Sequence, residues 1–378
     1  MASFALSIPI LIYLQLFVSG CYLIVFLFIL SGFLRKSRIA DDPRLPDVKV
    51  SVIIAARNEE INIPKLLSDL KRQSYSTDLF DIIIADDHSD KRLDSIPELL
   101  DMDLGNLRIL ELSEAEKGKK AALRIAAEKS TSEILLFTDA DCRVGKDWVK
   151  CFASKFMYTN PDVIIGMVNY SDQKGFFKSY VFQEFISLVV TGIGTANLGF
   201  PTLCNGANLA VRRNTYLDNI NKLHGNTPSG DDIFLLHSTK KNNERIETIK
   251  DKNALVSTAA PKTLLDFFGQ RARWASKSVL YRDFATISLS LLVVITNIVF
   301  IMGLIELLWH GFSVLISSII VFKIIADYCI ILTGLHYYRH KRSIIWLPIF
   351  QLVYPLYLFI ALFLGFFGLF KWKGRKYY

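Results

Sequence analysis

Apolar residues are concentrated at the two ends of the chain, whereas the middle alternates between apolar and polar segments. The first apolar run, residues 6–34, contains no charged residue, and three further runs follow at residues 284–309, 312–338 and 344–370. A helix of about 20 apolar residues is long enough to cross the roughly 30 Å hydrocarbon layer of a membrane. The pattern therefore predicts one N-terminal membrane span and two to three C-terminal segments.

A cleaved signal peptide is the competing interpretation of the first run, and residues 18–21 resemble a lipoprotein cleavage site. However, no Lys or Arg precedes the run, and the run continues well past Cys21. It is also about twice as long as the apolar core of an ordinary signal peptide. We therefore expect a permanent membrane span.

Basic residues cluster beside the apolar runs. The clusters are Arg35, Lys36 and Arg38; Arg339, Lys341 and Arg342; and Lys371, Lys373, Arg375 and Lys376. Because loops rich in Lys and Arg stay in the cytoplasm, the first two clusters predict an external N-terminus and cytoplasmic residues from 35 to about 283. The third cluster would lie outside if the last run crossed fully. A re-entrant or interfacial hairpin, broken at Pro348 and Pro355, is therefore an alternative.

The middle of the chain predicts strands and helices in alternation. Four apolar runs are typical of buried strands, at residues 48–55, 80–85, 107–112 and 134–138. A helix capped by Asn58 follows the first strand, and an Ala-rich helix follows the third. This order predicts a mostly parallel sheet with helices on both faces and ligands at the carboxyl ends of its strands. No G-x-G-x-x-G turn follows the first strand, which argues against a nicotinamide or flavin enzyme.

A further apolar stretch covers residues 175–200. Two glycines and Asn197 interrupt it, which argues against a membrane span. We expect a helix in the membrane interface, with Lys174 and Lys178 reaching the headgroups. A core helix of the middle domain is the alternative.

Composition and charge narrow the class of protein. The 378 residues are 51% hydrophobic and 21% charged, with a mean hydropathy of +0.31, which argues against both a soluble enzyme and a disordered chain. The basic clusters account for more than the net charge of +8, so the charge gives no support for a nucleic-acid-binding surface. Five scattered cysteines predict free thiols, and Lys323 and Asp327 are predicted to neutralise each other within a span.

Acidic residues follow two of the predicted strands, as Asp86-Asp87 and as Asp139-Ala140-Asp141. Carboxylate oxygens suit Mg²⁺ or Mn²⁺, which bind through one or two carboxylates together with substrate phosphates. Such an ion would neutralise charge on a departing diphosphate. Taken singly, each acidic pair is also compatible with solvated turn residues or helix caps. Lys119, at the start of the Ala-rich helix, either contacts a phosphate or is solvated.

Seven short motifs together resemble those of the family-2 glycosyltransferases, in the family's order and spacing over about residues 48–280. They are SVIIAARNE (51–59), DDHSD (86–90), GKKAAL (118–123), TDAD (138–141), NGANLA (205–210), SGDDIFL (229–235) and QRARW (270–274). The resemblance implies an α/β GT-A fold, with a Rossmann-like nucleotide half joined to an acceptor half. The implied domains are an N-terminal anchor (1–40), a cytoplasmic GT-A domain (41–283) and a C-terminal transmembrane region (284–378).

The resemblance also implies which residues bind the donor. Asp87, with Asp86 beside it, would bind the base and ribose of a sugar nucleotide. Asp139 would support the nucleotide and, with Asp141, the metal ion on its diphosphate. Lys119 would contact a phosphate.

The catalytic and acceptor residues are implied in the same way. Asp231 and Asp232 stand where the family has Glu-Asp, with Asp232 in the position of the catalytic base. Gln270, Arg273 and Trp274 form the Q-x-x-R-W element of the acceptor site. Arg273 would also neutralise the negative charge of the diphosphate, and Trp274 would offer an aromatic face for stacking. Arg124 stands where the family often has Asn.

The implied protein is an inverting, metal-dependent glycosyltransferase of the cell (inner) membrane. It would move a sugar from a nucleotide-diphosphate donor, most commonly a UDP-sugar in the family, to a lipid or lipid-linked acceptor of the cell envelope at the cytoplasmic leaflet. The few predicted spans make a thin wall for a polysaccharide channel, which favours a single addition. A processive polysaccharide synthase subunit with an export partner and a non-catalytic membrane partner protein are the alternatives.

Overall fold

The computed structural model describes residues 2–36, 46–96, 99, 104–171, 175–220, 230–368, 371–372 and 375–376. Four residues used in the predictions, Arg38, Lys174, Ser229 and Lys373, lie outside these ranges. The chain forms two compact units. The helical unit consists of Met1–Arg35, Lys174–Phe200 and Pro261–Phe370, and the α/β unit consists of Lys36–Gln173, Pro201–Ala260 and Lys371–Tyr378. The predicted domain of residues 41–283 therefore has two stretches that belong to the helical unit.

Helices are distributed over both units. In chain order they are α1 (Ala2–Leu34), α2 (Ile63–Lys71), α3 (Lys119–Lys129), α4 (Trp148–Thr159), α5 (Phe176–Asn197), α6 (Arg213–Asn219), α7 (Asp231–Lys241), α8 (Leu264–Ser276), α9 (Phe284–His310), α10 (Val314–Tyr337) and α11 (Leu347–Phe366).

Strands form the centre of the α/β unit. They are β1 (Val50–Ala56), β2 (Phe80–Asp86), β3 (Leu107–Glu111), β4 (Ile134–Asp139), β5 (Arg143–Val144), β6 (Val163–Gly166), β7 (Val168–Tyr170), β8 (Leu209–Arg212), β9 (Ile246–Ile249) and β10 (Val256–Thr258). Seven of them make a mixed sheet in the order β3-β2-β1-β4-β8-β6-β9, and β5-β10-β7 make a smaller one. A short antiparallel pair, Lys371–Trp372 with Arg375–Lys376, completes the described strands.

The four predicted strands are confirmed, and their pairing explains their composition. β1 pairs in parallel with β2 and β4, and β2 pairs in parallel with β3. Val52, Ile53 and Ile54 of β1 are completely buried, as expected for a strand covered on both faces. The sheet is mixed because β8 runs antiparallel to both β4 and β6.

The helix after β1 starts later than predicted. Asn58 is not its N-cap: α2 begins at Ile63 with Asn62 as cap. Asn58 instead has a φ of 53°, and its side-chain oxygen accepts a hydrogen bond from the backbone N–H of Asp90 at 2.9 Å. Asparagine tolerates this left-handed conformation better than most residues, so the residue serves the loop rather than the helix.

The helical unit has the length and composition of a membrane protein. Among the described residues, five helical segments are long and apolar enough to cross a membrane, at Ile10–Leu34, Phe176–Asn197, Phe284–His310, Val314–Tyr337 and Ser343–Phe366. The alternative of a hairpin broken at Pro348 and Pro355 does not agree with the structure, because α11 is continuous. Pro348 lies in its first turn, where the missing N–H costs no helical hydrogen bond, and Pro355 is accommodated within the helix.

Helix α5 is likewise continuous, so the glycines predicted to interrupt it do not. Gly194 instead permits close packing on α1, since a Cβ there would lie 2.4 Å from the carbonyl oxygen of Ile29. Near the same end, the Arg35 side chain donates to the Asn197 carbonyl oxygen at 2.8 Å. The ring of Phe182, in the middle of α5, lies 5.9 Å from that of Tyr338.

The start of α5 contacts the last helix of the unit. The ring centroid of Phe176 lies 5.0 Å from that of Trp346, which precedes α11, and 5.5 Å from that of Phe350 near the start of α11. These contacts run from the beginning of α11, past the end of α10, to the end of α1. Helix α5 therefore packs on the end of α1, on the end of α10 and on α11 from its start as far as Tyr357. The first two basic clusters lie beside the ends of α1 and α10.

Lys323 and Asp327 pair with each other, as predicted. The Lys323 ammonium lies 2.9 Å from the Asp327 carboxylate and also donates to the Gln351 side chain, while the Tyr22 hydroxyl donates to Asp327 at 2.6 Å. The pair is thus neutralised between three helices. All five cysteines lie in described ranges and are free thiols.

Candidate active site

Three parallel strands end at one edge of the larger sheet and bring the acidic motifs to it. Ala55 of β1 lies opposite Asp139 of β4, and Ala56 lies opposite Asp86 of β2. The backbone N–H of Asp87 donates to the Ala56 carbonyl oxygen at 2.8 Å. The acidic residues predicted at strand ends therefore share this edge.

Asp86 and Asp87 are both buried, with 4% and 3% of their surface exposed. The Ser89 hydroxyl donates to the Asp86 carboxylate at 2.5 Å. Burial raises the pKa of the Asp86 carboxyl in spite of the hydrogen bonds from Ser89. The Arg57 guanidinium donates to the Asp87 carbonyl oxygen at 2.9 Å, and an Asp87 carboxylate oxygen lies 3.1 Å from Nδ1 of His88. This loop is held by side-chain contacts on both of its acidic residues.

Lys119 joins two of the acidic motifs. Its Nζ atom donates to the Asp139 carboxylate at 2.5 Å and lies 3.9 Å from the nearer carboxylate oxygen of Asp231. Burial alone would lower the pKa of Lys119, but the charges of Asp139, Asp231 and Asp232 raise it above its usual value. The lysine is therefore a fixed positive charge among carboxylates, and not a solvated residue at a helix start.

Asp231 and Asp232 occupy the first turn of α7, where the helix dipole favours negative charge. The Asp232 carboxylate accepts hydrogen bonds from the backbone N–H of Gly206 at 3.1 Å and of Ile233 at 2.8 Å. A Cβ at Gly206 would lie 3.4 Å from the Cβ of Asp232. Both oxygens of this carboxylate are thus held by backbone groups.

A buried amide, Asn208, supports this arrangement. It belongs to the NGANLA motif, but the sequence assigned it no role. It is completely buried, its Nδ2 donates to the carbonyl oxygens of Met167 at 2.7 Å and Ala254 at 2.9 Å, and its Oδ1 accepts from Nε1 of Trp148 at 3.0 Å. It ends the short 3₁₀ turn that starts at Gly206. The signal available in the sequence was a second asparagine, three residues after Asn205 and directly before the apolar residues Leu209, Ala210 and Val211.

Asp141 lies two residues beyond β4. Its carboxylate accepts a hydrogen bond from the Thr258 hydroxyl at 3.3 Å. Within the described parts of the chain, no group of three or more His, Cys, Asp or Glu residues is placed to hold a metal ion. Asp139, which also accepts a hydrogen bond from Lys119, and Asp141 offer hard carboxylate oxygens at this edge. They fit a Mg²⁺ or Mn²⁺ ion that takes its remaining ligands from phosphates and water.

Arg124, the departure from the family pattern in α3, has local partners. Its guanidinium pairs with Glu128 at 2.9 Å and with Glu116. The substitution is therefore accommodated by ion pairs on the surface of the α/β unit.

The Q-x-x-R-W element lies on α8 of the helical unit. A capping box between Thr263 and Asp266 starts this helix. Gln270, Arg273 and Trp274 are half-buried, whereas Arg271, which the sequence reasoning left without a role, is buried. Its guanidinium pairs with Glu184 of α5.

Comparisons with known proteins find similarity to glycosyltransferases. The model of glycosyl transferase family 2 matches residues 51–220. Glycosyltransferase AglE of Haloferax volcanii is 26% identical over 192 residues, which cover 51% of this chain and 60% of AglE. A beta-monoglucosyldiacylglycerol synthase of Trichormus variabilis is 33% identical over 99 residues, covering 26% of this chain and 21% of the synthase. The chain thus spans less than two thirds of the length of either relative.

A solved structure has the same fold. The mannosyltransferase PcManGT of Pyrobaculum calidifontis, in complex with GDP-Man and Mn²⁺, is 17% identical with a TM-score of 0.59, and the match covers 95% of this chain and 98% of that one. The predicted GT-A fold, with apolar helices at both ends of the chain, is confirmed.

Proposed function

We propose that this chain is a membrane-bound enzyme that transfers one sugar from a nucleotide-diphosphate donor to a lipid or lipid-linked acceptor, with inversion. The match of its residues 51–220 to the model of glycosyl transferase family 2 supports this activity. The observation that carries the proposal is the contact of Lys119 with Asp139 and Asp231, directly beside Asp232. This network joins a candidate phosphate and metal site to a candidate base.

The donor would lie at the carboxyl edge of the sheet. Asp86 and Asp87 would receive the base and ribose, and Asp139 and Asp141 would hold Mg²⁺ or Mn²⁺ against the diphosphate. When bound, the ion would neutralise charge that develops on the leaving diphosphate. PcManGT, named for a complex with GDP-Man and Mn²⁺, supports a donor and ion of this chemical class.

Asp232 would act as the general base. Its carboxylate takes the proton of the acceptor hydroxyl while the acceptor oxygen bonds to the anomeric carbon. The bond from that carbon to the phosphate oxygen breaks, and the diphosphate leaves with the electron pair. The backbone N–H groups of Gly206 and Ile233 hold the two carboxylate oxygens, so the base is oriented before the acceptor arrives.

The acceptor is proposed to be a lipid because the acceptor motif lies in the helical unit. Gln270, Arg273 and Trp274 stand on α8, whose contacts with α11 are among the most extensive in the unit. The name of the Trichormus variabilis relative, a beta-monoglucosyldiacylglycerol synthase, supports an acceptor of this class. The unit also has few helices from which to build a polysaccharide channel, which favours single addition.

In the proposed topology, the α/β unit lies in the cytoplasm, and the membrane is spanned by α1, α9, α10 and α11. Helix α5 packs on the ends of α1 and α10 and on α11 as far as Tyr357. The first two basic clusters lie beside the ends of α1 and α10, as the positive-inside rule expects of a cytoplasmic face. The chain before α5 provides β4 and β6, and the chain after it provides β8, which pairs with both. The segments on either side of α5 therefore belong to one sheet and must lie on the same side of the membrane. We therefore propose that α5 lies in the interface and does not cross.

The test uses the full chain in lipid nanodiscs with labelled UDP- and GDP-sugars, extracted lipids, and either Mg²⁺, Mn²⁺ or EDTA. We expect donor- and metal-dependent labelling of a lipid. Asp232→Asn should lower the rate about 10²- to 10⁴-fold, and Asp94→Asn, at an exposed carboxylate paired with Arg92, should leave it unchanged.

Three results would contradict the proposal. High-molecular-weight polysaccharide as the sole product would favour the processive alternative. Unchanged cellular glycans and lipids in an Asp232→Asn strain would favour a non-catalytic partner. Full activity with EDTA would remove the metal from the proposal.

A further inference from the structure

A buried ion pair lies beneath the acceptor motif. Arg271 of α8 and Glu184 of α5 are 3% and 7% exposed. The Arg271 Nε atom donates to both carboxylate oxygens of Glu184 at 3.0 Å, and its Nη2 atom donates to the same carboxylate. The Tyr357 hydroxyl of α11 adds a third donor at 3.0 Å. One carboxylate thus ties three helices of the helical unit together.

The other side of the guanidinium holds two residues of the acceptor motif. Its Nη1 atom donates to the side-chain oxygen of Gln270, and its carbon lies 4.2 Å from the ring centre of Trp274. Phe267, one turn earlier on α8, lies 4.8 Å from it. A planar guanidinium can hydrogen-bond at its edges and stack on aromatic faces at the same time, which an ammonium cannot do.

We propose that Glu184 and Arg271 form a positioning relay that sets the side chains of Gln270 and Trp274 for the acceptor. The inference rests on the proposed function, in which Gln270 and Trp274 belong to the acceptor site. It predicts that Glu184 and Arg271, which are not themselves the named residues of the Q-x-x-R-W element, affect binding of the acceptor and not of the donor. Glu184 fixes the orientation of the guanidinium, and the guanidinium fixes Gln270 and Trp274.

The chemistry of burial explains why the relay is rigid. A guanidinium removed from water needs a counter-charge and partners for its N–H groups. Glu184 supplies the charge, and contacts with Glu184 and Gln270 engage all three guanidinium nitrogens. The carboxylate is in turn oriented by the Tyr357 hydroxyl, so neither charge can turn without losing a hydrogen bond.

The first test compares two Tyr→Phe variants of the full chain in nanodiscs. Tyr357→Phe removes a hydroxyl that donates to Glu184, whereas the control Tyr22→Phe removes a hydroxyl that donates to Asp327 at 2.6 Å. Both tyrosines are buried in the helical unit. We expect Tyr357→Phe to raise the KM for the lipid acceptor several-fold at unchanged donor KM, and Tyr22→Phe to change neither. Equal effects of the two variants on the acceptor KM would overturn the relay.

The second test separates positioning from stability. Glu184→Gln leaves the charge of Arg271 uncompensated, whereas the double variant Glu184→Leu/Arg271→Met replaces the pair with apolar side chains. Such a replacement of a buried ion pair is often neutral for stability. We expect the double variant to unfold at the temperature of the unchanged protein and still to have an acceptor KM raised at least tenfold. A stable double variant with the original acceptor KM would refute the proposal.

A third measurement does not depend on activity. The emission of Trp274 is obtained as the difference between the unchanged protein and Trp274→Phe, and its quenching by acrylamide is measured in the Glu184→Gln and Tyr22→Phe backgrounds. We expect quenching to increase only in the first. If no acceptor is labelled by the unchanged protein, the proposed function fails. If quenching of Trp274 is the same in both backgrounds, the relay fails.

Discussion

Replacing Asn208 by alanine is expected to weaken the α/β unit and the hold on Asp232 together. The amide is completely buried and makes three hydrogen bonds of 2.7 to 3.0 Å, to Met167, Ala254 and Trp148. Each buried bond contributes about 1 kcal/mol, and orphaned partners add to the loss. We expect the free energy of unfolding to fall by about 3–5 kcal/mol.

The assay is thermal unfolding of the full chain in detergent, followed by tryptophan fluorescence, since Trp148 is one of the partners. For a unit of this size, 1 kcal/mol shifts the midpoint by about 2–4 °C, so the midpoint should fall by roughly 10 °C. Asn205→Ala is the matched control: it removes one hydrogen bond, to the backbone N–H of Ala207 at 3.0 Å, and should cost about 1 kcal/mol or less.

The same substitution should slow transfer below the unfolding temperature. Asn208 ends the turn in which Gly206 holds the Asp232 carboxylate, so a looser turn leaves the base less well oriented. An unfolding midpoint of Asn208→Ala within 2 °C of that of Asn205→Ala, or an equal loss of activity in the two variants, would refute the reasoning that the three hydrogen bonds of Asn208 act as one support.

Three further predictions concern other parts of the fold. Gly194→Leu would place side-chain atoms against a carbonyl oxygen of α1 and should abolish the monodisperse peak in size-exclusion chromatography, whereas Gly20→Leu, with nothing within 4 Å of its Cβ, should preserve it. Burial alone would raise the pKa of the Asp69 carboxyl, but the hydrogen bonds and charge of the Arg143 guanidinium outweigh burial and hold this pKa below its usual value. The stability that this carboxylate provides is therefore present above pH 4 and is lost as the pH falls through the folded-state pKa; Asp69→Asn should flatten acid unfolding monitored by circular dichroism, and an unaltered acid limb would contradict this. Asp327→Asn leaves the buried ammonium of Lys323 without its counter-charge and should lower the unfolding midpoint, whereas apolar replacement of both should restore it.

The sequence predicted the elements that depend on local composition. The strands at 50–56 and 134–139 were found within two residues of their ends, because strands buried on both faces are nearly continuous apolar runs. The acidic residues at the sheet edge followed from the motifs, and their convergence followed from parallel strand ends. Their roles remain predictions.

The parts that depend on distant contacts were not predicted. Asn58 has the residue type of a helix cap, and only its contact with Asp90 shows that it belongs to a loop. Glu184 was a single acid in an apolar stretch, and its partner Arg271 is 87 positions later. The assignment of α5 to the helical unit likewise depends on packing against helices at both ends of the chain.

The order of synthesis gives the buried carboxylate of Glu184 a further consequence. It leaves the ribosome 87 residues before Arg271 and 173 residues before Tyr357, and Lys323 precedes Gln351 by 28. A nascent chain that stops after α10 therefore holds both groups without their last partners. Loss of α11 should for this reason leave charged groups within apolar helices without these partners and mark the truncated chain for degradation.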